Sequence, residues 1–457
     1  MIMNHKHALT FICLVTVFLL YSSNFSQFPT TAINSEDSNF LKYEANNVST
    51  GSLKHTIKII NPTYSRVTGG KLFVPIIENE TARHYAIYNI SSSTGNPTVL
   101  TDDSGNLYAY WSNIEINAKQ NFTVEINYCL LSFTIHYTIN SSLITEYNKT
   151  SDLYKKYTQP EKLIESNNLM ISSEAQNITS SETNLHEKVF KIYNFVITHM
   201  HYVRQDEERG ALWALENGIG DCSEYTYLFV ALCRAAGIPA KAKAGFAFHY
   251  STETIEDGHM WAEYYLENYG WIPVDATWQL FDAIDYRHFS SIQSIPELTP
   301  YTNYFFNSTT GPKPYDEQTV QLKPSSPSTF DNNSYAENTM KAAQKINQAK
   351  FAALIGKIFG ANLIFPSEVE KIAQNILESQ IHLQDAINLW ETNPQLAQTN
   401  ASSALQNAED ALREGWILIA KMLALLISIP IVIILVTMVL QRQRRTKPEK
   451  SPPTQTA

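Results

Sequence analysis

Residues 416–440, WILIAKMLALLISIPIVIILVTMVL, form an unbroken apolar run with one charge, Lys421, near its start. A run of that length crosses a bilayer as a helix, because in hydrocarbon every backbone N–H and C=O must be paired within the segment. Lys421 stands close enough to the entry for its ammonium to reach the headgroups. The residues that follow, QRQRRTKPEK, carry Arg442, Arg444, Arg445, Lys447 and Lys450 against Glu449 alone. Basic flanks stay on the cytoplasmic side, so 441–457 is expected to be a cytoplasmic tail and the bulk of the chain to lie outside. The first apolar run, Ala8 to Tyr21, is too short for a comfortable span and follows Lys6. It fits a secretory signal over residues 1–23.

An external address agrees with the composition. Charged residues are only 17% of the chain and the formal net charge is −10. No basic stripe is visible in the bulk of the chain, so nucleic acid is not expected as a partner. Asn-x-Ser/Thr sequons start at several positions from Asn47 to Asn177 and again at Asn307, Asn332 and Asn400, with none between 178 and 306. A compact domain in that gap is the simplest reading. At 457 residues the chain exceeds one ordinary core, and two or three domains are expected.

Of the four cysteines, Cys13 would leave with the signal, and the remaining three cannot form a disulfide framework. Cys222 and Cys233 would stand about 16 Å apart on one helix, beyond the roughly 7 Å between Cα atoms that a disulfide allows. Cys129 and Cys233 read as small buried hydrophobes. Cys222 needs its own explanation.

Along the chain, 35–145 alternates or runs in β-branched and aromatic residues between turn signals such as Gly69-Gly70, and is expected to be a β-sandwich-like domain. From 160 to 305 the pattern becomes α+β. The segment ETNLHEKVFKIYNFVITHM puts Val189, Ile192, Tyr193, Val196 and Met200 on one helical face, with Thr183 as the expected cap. A second helix from Cys222 carries Tyr225, Leu228, Phe229 and Leu232 and should stop at Gly237 and Pro239. The Pro/Ser/Thr-rich stretch 306–336 reads as a linker, and 337–415 as a helical stalk with near-heptad spacing from Val369 to Trp390. The spacing is too short to assign an oligomeric state.

Cys222 falls at a helix start, where unpaired N–H groups and the helix dipole favour a thiolate. Asp221 and Glu224 flank it and oppose one, so a cation is needed. His259 offers it, and Asp275 offers a carboxylate to fix the imidazole. There is a geometric condition. Side chains alternate faces along a strand, so His259 and Asp275 share a face only if paired residue numbers sum to an even value. A three-residue loop 267–269 pairing Leu266 with Gly270 meets it, whereas a two-residue loop at Asn268-Tyr269 does not. The same three residues could equally be ordinary members of a packed core.

The blocks GDCSEYTYLFVALCRAAGIPAKAKAG and GHMWAEYYLENYGWIPVDATW, in that order, resemble the transglutaminase-like superfamily of cysteine enzymes over roughly 160–300. The resemblance implies a papain-related α+β fold with Cys222 as nucleophile, His259 as base and Asp275 as orienting acid. It implies protein or peptide amides as substrates, through a thioester, by hydrolysis or acyl transfer. Ser223 stands where the animal cross-linking enzymes have Trp, and their calcium-binding loops have no counterpart here, so no cofactor or metal is carried over. The microbial, membrane-attached branch is the nearer likeness.

Other residues have plainer expectations. Trp213 and Tyr202, upstream aromatics with an N–H or O–H, are candidate oxyanion donors beside the Cys222 amide but read more simply as core packing. His199 and His201 lack a convincing third ligand and read as helix-end and strand residues. His249 is expected to be a strand residue near the cleft mouth. Trp261, Glu263 and Trp271 read as hairpin packing, with Glu263 a candidate support behind the site. The competing reading of the whole chain is a non-catalytic adhesion or scaffolding protein built on the same fold.

Overall fold

The computed structural model describes residues 40–80, 83–294, 301–307, 313–330 and 332–445. The expected signal segment, with Cys13, and the tail beyond Arg445 lie outside the described residues. Two compact units are present: one comprises 40–344 and 379–406, the other 345–378 and 407–445.

In the first unit, strands Tyr43–Ile60 and Asn121–Tyr137 pair antiparallel along nearly their whole length, from Tyr43↔Tyr137 to Ile60↔Asn121. Their period-two pattern sends Leu53, Ile57 and Ile59 inward while Lys54 and Lys58 face out. His84–Ser92 pairs with Asn121–Tyr137 in the same sheet. A four-stranded sheet runs in the order Asn303–Phe305, Val67–Pro75, Leu107–Ile116, Thr98–Thr101. The shared core includes Ile57, Leu72, Val74, Trp111, Val124 and Leu130.

Three segments depart from the expected division of the chain. The stretch expected as a linker holds strand Tyr315–Pro324, which pairs with Tyr43–Ile60 from Ile60↔Tyr315 to Gly51↔Pro324. Its Val320 and Leu322 alternate inward, a short pattern hidden among Pro, Ser and Thr. Glu253–Ile255 and Ala283–Ile284, from the α+β segment, join this same large sheet. Phe246, Phe248 and Phe289 belong to the core that it covers. The β-rich and α+β regions therefore share one core. Finally, the expected stalk is not a separate body throughout. Tyr335 stacks on Trp390 at 4.2 Å, Tyr43 donates to Asn388 at 2.7 Å, and Tyr85 donates to the Ile387 carbonyl.

The α+β region is built on a five-stranded antiparallel sheet in the order Leu280–Phe281, Gly270–Asp275, His259–Leu266, Ala240–Ala247, His288–Ile292. Helix Cys222–Ala235 packs on it and buries Leu228, Phe229, Leu232 and Cys233. The expected stop holds, with Gly237 in the left-handed region at φ 77°. Helix Leu185–His199 buries Val189, Ile192, Tyr193 and Val196, as its spacing requires. Its cap is Asn184 rather than Thr183; the Asn184 side chain accepts from the His186 and Glu187 N–H groups.

His259, Trp261 and Glu263 lie on one face of their strand. On that face Glu263 meets Arg83 from the β-rich region and Lys241 at 3.1 Å, and Glu80 accepts from Lys243 at 2.6 Å. All five groups are buried. Removing one partner of such a cluster strands a buried charge, at a cost of about 3–5 kcal/mol. Glu263 thus ties the two regions together instead of merely packing the hairpin.

In the second unit, Lys371 and Glu414 pair at 2.7 Å across two helices, Pro366–Leu389 and Pro394–Arg445. The latter is long and apolar enough to cross a membrane, with a mean hydropathy of 3.0 in its most apolar window. Leu418, Ile419 and Met422 are buried within the unit, so the first turns of the apolar run belong to protein packing. The largely exposed stretch 423–440 spans about 27 Å at the helical rise, close to a typical hydrocarbon thickness.

Candidate functional site

Cys222 opens its helix behind a tightly specified turn. Gly218 ends helix Ala211–Asn217 in the left-handed region at φ 65°, and Tyr202 pairs in parallel with Gly220. Asp221 is the N-cap: its carboxylate accepts from the Ser223 N–H at 3.1 Å, and Glu224 accepts from the Asp221 N–H at 3.0 Å. A Cβ on Gly220 would meet the Glu224 Cβ at 2.3 Å, so glycine is required there. Asp221 also accepts from the Gln205 N–H, and Glu224 from that of Arg209. The two carboxylates expected to oppose a thiolate are thus held on backbone donors of the cap and the 205–209 loop. Burial pushes the Glu224 carboxyl up, against these hydrogen bonds.

The hairpin takes the even-sum register: Leu266 pairs with Gly270 and Ala262 with Val274 around the loop 267–269. Asn268 at φ 70° and Gly270 at φ 84° supply the positive φ values that this short loop needs. His259 and Asp275 accordingly share a face, and His259 Nε2 lies 2.7 Å from Asp275 Oδ2. The Cys222 side chain lies close enough to the His259 ring to raise its pKa. Asp275 is fully buried, His259 is 9% exposed, and Cys222 is half-buried. The structure therefore brings the three sequence-derived residues together.

Gly245 lies opposite His259. A Cβ there would meet the Phe289 carbonyl oxygen at 2.0 Å, so this glycine lets strand His288–Ile292 approach. That strand delivers a residue the sequence reading missed. His288, fully buried, places Nε2 at 3.2 Å from the same Asp275 oxygen and Nδ1 at 2.8 Å from Asp285. The second Asp275 oxygen accepts from the Trp278 N–H at 3.0 Å. Trp278 packs its ring 5.3 Å from His259 and 4.7 Å from His288.

The charges follow from these contacts. Burial alone would lower the His259 pKa, but the Asp275 carboxylate and the Cys222 hydrogen bond raise it to about 9. Burial opposes His288 in the same way, and its two carboxylate partners raise it to about 9. Burial would raise Asp275, but the two histidines hold it well below the usual carboxylate range. His288 titrates near 6.5 when unfolded, so the folded chain keeps its proton between pH 6.5 and 9. That stabilisation is complete below pH 6.5 and is lost as pH rises through about 9. The melting temperature should therefore fall across that window; replacing His288 by Phe should flatten the fall. A melting temperature constant from pH 6.5 to 9 would contradict it.

The ring nitrogens of His259 and His288 and an Asp275 oxygen lie within 4.8 Å of one another, close enough to ask whether they hold a metal. Tetrahedral zinc with bonds of about 2.0–2.1 Å sets its ligand atoms about 3.3 Å apart. The 2.7 Å His259–Asp275 separation is instead a hydrogen bond.

The remaining candidates fall elsewhere. His199 Nε2 bonds to the Leu215 carbonyl at 2.8 Å at its helix end, and His201 is an exposed strand residue. His249 stacks on Trp278 at 4.6 Å, just past strand Ala240–Ala247. Tyr202 is 60% exposed and Trp213 half-buried, so neither is the core residue expected. Burial first, and then the Cys222 charge, raise the Tyr202 phenol. Cys233 is buried as expected, and burial raises its thiol pKa. Cys129 is half-buried, with its thiol on the Thr329 carbonyl at 2.9 Å.

Comparison with known proteins matches this region. Residues 172–276 fit the family model of the transglutaminase-like superfamily. A protein-glutamine gamma-glutamyltransferase of Pseudomonas aeruginosa is 37% identical over 68 residues, which are 13% of this chain and 10% of that relative. The chain thus spans about a tenth of the curated relative it matches. Among solved structures, a candidate cysteine protease from Cytophaga hutchinsonii aligns at TM-score 0.46 and 16% identity, over 62% of this chain and all of that one. The periplasmic domain of TgpA from Pseudomonas aeruginosa aligns at TM-score 0.28 and 14% identity, over 50% of this chain and 91% of that one. The chain carries a transglutaminase-like domain, with Cys222, His259 and Asp275 inside the matched segment.

Proposed function

We propose that the protein is an external, membrane-anchored cysteine enzyme that acts on protein or peptide amides through Cys222, His259 and Asp275. The observation that carries this reading is the chain of contacts from the helix-terminal thiol through His259 to a buried, ionised Asp275. In the resting site Cys222 is a thiolate and His259 an imidazolium. The sulfur attacks the amide carbonyl carbon, and the developing oxyanion is met by the Cys222 N–H, free at the helix start. As the C–N bond breaks, the His259 Nδ1 proton passes to the departing nitrogen, leaving a thioester. His259 then takes a proton from water or an amine as that nucleophile attacks the thioester, and the thiolate and imidazolium are restored.

The anchoring half of the proposal rests on the apolar stretch 423–440 and on the basic residues after it, which favour a cytoplasmic C-terminus and an external thiol site. The test is incubation of the detergent-solubilised full chain with a pool of Gln- and Lys-containing peptides, read by mass spectrometry beside Cys222→Ala. Joined peptides with loss of ammonia indicate transfer, shortened peptides hydrolysis, and a gain of one mass unit at Gln deamidation. Identical pools from the two proteins would count against the enzyme and for a scaffold.

A further inference from the structure

His288 is hydrogen-bonded on both ring nitrogens, and both partners are carboxylates: Asp275 at 3.2 Å and Asp285 at 2.8 Å. A neutral imidazole carries one N–H and one lone pair, so it can satisfy only one such partner, and its lone pair would face the other carboxylate. Two donations require the imidazolium. Asp285 is itself fixed by the Arg287 Nε at 3.1 Å, and His288 has no measurable exposure on its side chain. The remaining groups around the ring are Trp261 at 5.4 Å, Trp278 at 4.7 Å and His259 at 5.7 Å between centroids. Tyr193, on helix Leu185–His199, is the further titratable group within the field of Asp275.

Asp275 thus sits between two cations, and one of its oxygens serves both. Without His288, that buried carboxylate would have one charge to answer it and two hydrogen bonds, from His259 and the Trp278 N–H. With His288 behind it, it is pinned from three sides: His259, His288 and the Trp278 N–H. We infer that His288 is a positioning residue of the thiol site, a cation at neutral pH that fixes the Asp275 carboxylate toward His259 and lends its positive charge to the Cys222 thiolate. The inference rests on the thiol-enzyme reading of the site, which it deepens. His288 does not touch the reacting atoms; it acts through Asp275.

Two consequences separate this role from simple packing. Removing a fixed positive charge raises the pKa of every nearby group, so the thiolate must become harder to form. The acid limb of Cys222 reactivity should move to higher pH by roughly half to one unit, the size expected of one charge at such a distance in a partly screened interior. Gln at 288 can still donate to Asp275 but carries no charge, so it should recover much of the plateau rate while keeping the shifted limb. Phe, which has the shape alone, should show the shifted limb and lose the plateau as well.

The test is the rate of iodoacetamide alkylation at Cys222 from pH 4 to 9, resolved by peptide mapping, in the full chain and in His288→Gln and His288→Phe. An upward shift of the acid limb in both variants, with the plateau better preserved in Gln, is the expected result. Limbs that superimpose on the wild type, or plateau losses without a shift, would make His288 a packing residue and overturn the inference. If the wild type itself alkylates as an ordinary thiol near pH 8.5, the thiol-enzyme reading fails and takes this role with it. If Phe does not fold, Gln alone decides between a shifted and an unshifted limb.

Discussion

Cys222→Ala lowers turnover by at least about four orders of magnitude while the protein stays folded, the effect expected when a covalent nucleophile is removed and only binding and oxyanion contacts remain. The fold should survive for local reasons. Cys222 is half-buried, and the capping box that starts its helix uses Asp221, Ser223 and Glu224, none of which needs the sulfur. The stability change should stay within about 1 kcal/mol, ordinary for a small substitution away from the core. Turnover of the responding peptides measures the first part and thermal melting the second. Retained activity would remove Cys222 from the chemistry, and a large loss of melting temperature would make any inactivity uninformative.

Asp275→Asn should cost roughly four orders of magnitude in turnover, the scale seen when a buried orienting carboxylate becomes an amide. Asparagine serves as third member in some thiol proteases, so the expectation needs a reason specific to this chain. Asp275 accepts three donors: His259 and His288 on one oxygen and the Trp278 N–H on the other. An amide has one acceptor oxygen and turns an N–H₂ toward whatever faced the other. Either both imidazoles or the Trp278 N–H would then meet a donor with a donor. Asp275 has no exposed surface, so water cannot repair the mismatch. Kinetics on the same peptides, with circular dichroism to check folding, decide it. Activity within tenfold of wild type would show that His259 does not depend on Asp275 for its orientation.

What could be read from the sequence was local. The helix from Cys222 announced itself through apolar spacing and a Gly-Ile-Pro stop. The hairpin's register reduced to a parity condition, and Asn268 and Gly270 are the residues whose positive φ selects the three-residue loop. What escaped was non-local. Strand Tyr315–Pro324 shows an inward period over Val320 and Leu322 alone, and its partner lies over 250 residues away in the chain, at Tyr43–Ile60. His288 carries no motif; it reaches Asp275 only because strand His288–Ile292 pairs with Ala240–Ala247, an approach that Gly245 permits. Asp221 and Glu224 stand beside Cys222 in the sequence, but only the structure gives them backbone donors in the 205–209 loop.

The site's central claim is that Cys222 is a thiolate at rest because His259 stands beside it as a cation. Site-resolved iodoacetamide labelling at pH 6 tests it most directly, comparing Cys222 with Cys129 in the intact full chain, and with Cys222 in His259→Ala. The account expects Cys222 to label at least about ten times faster than Cys129 at that pH, and to lose that advantage when His259 is replaced. Equal, slow labelling of both cysteines, or fast labelling that persists in His259→Ala, would contradict it.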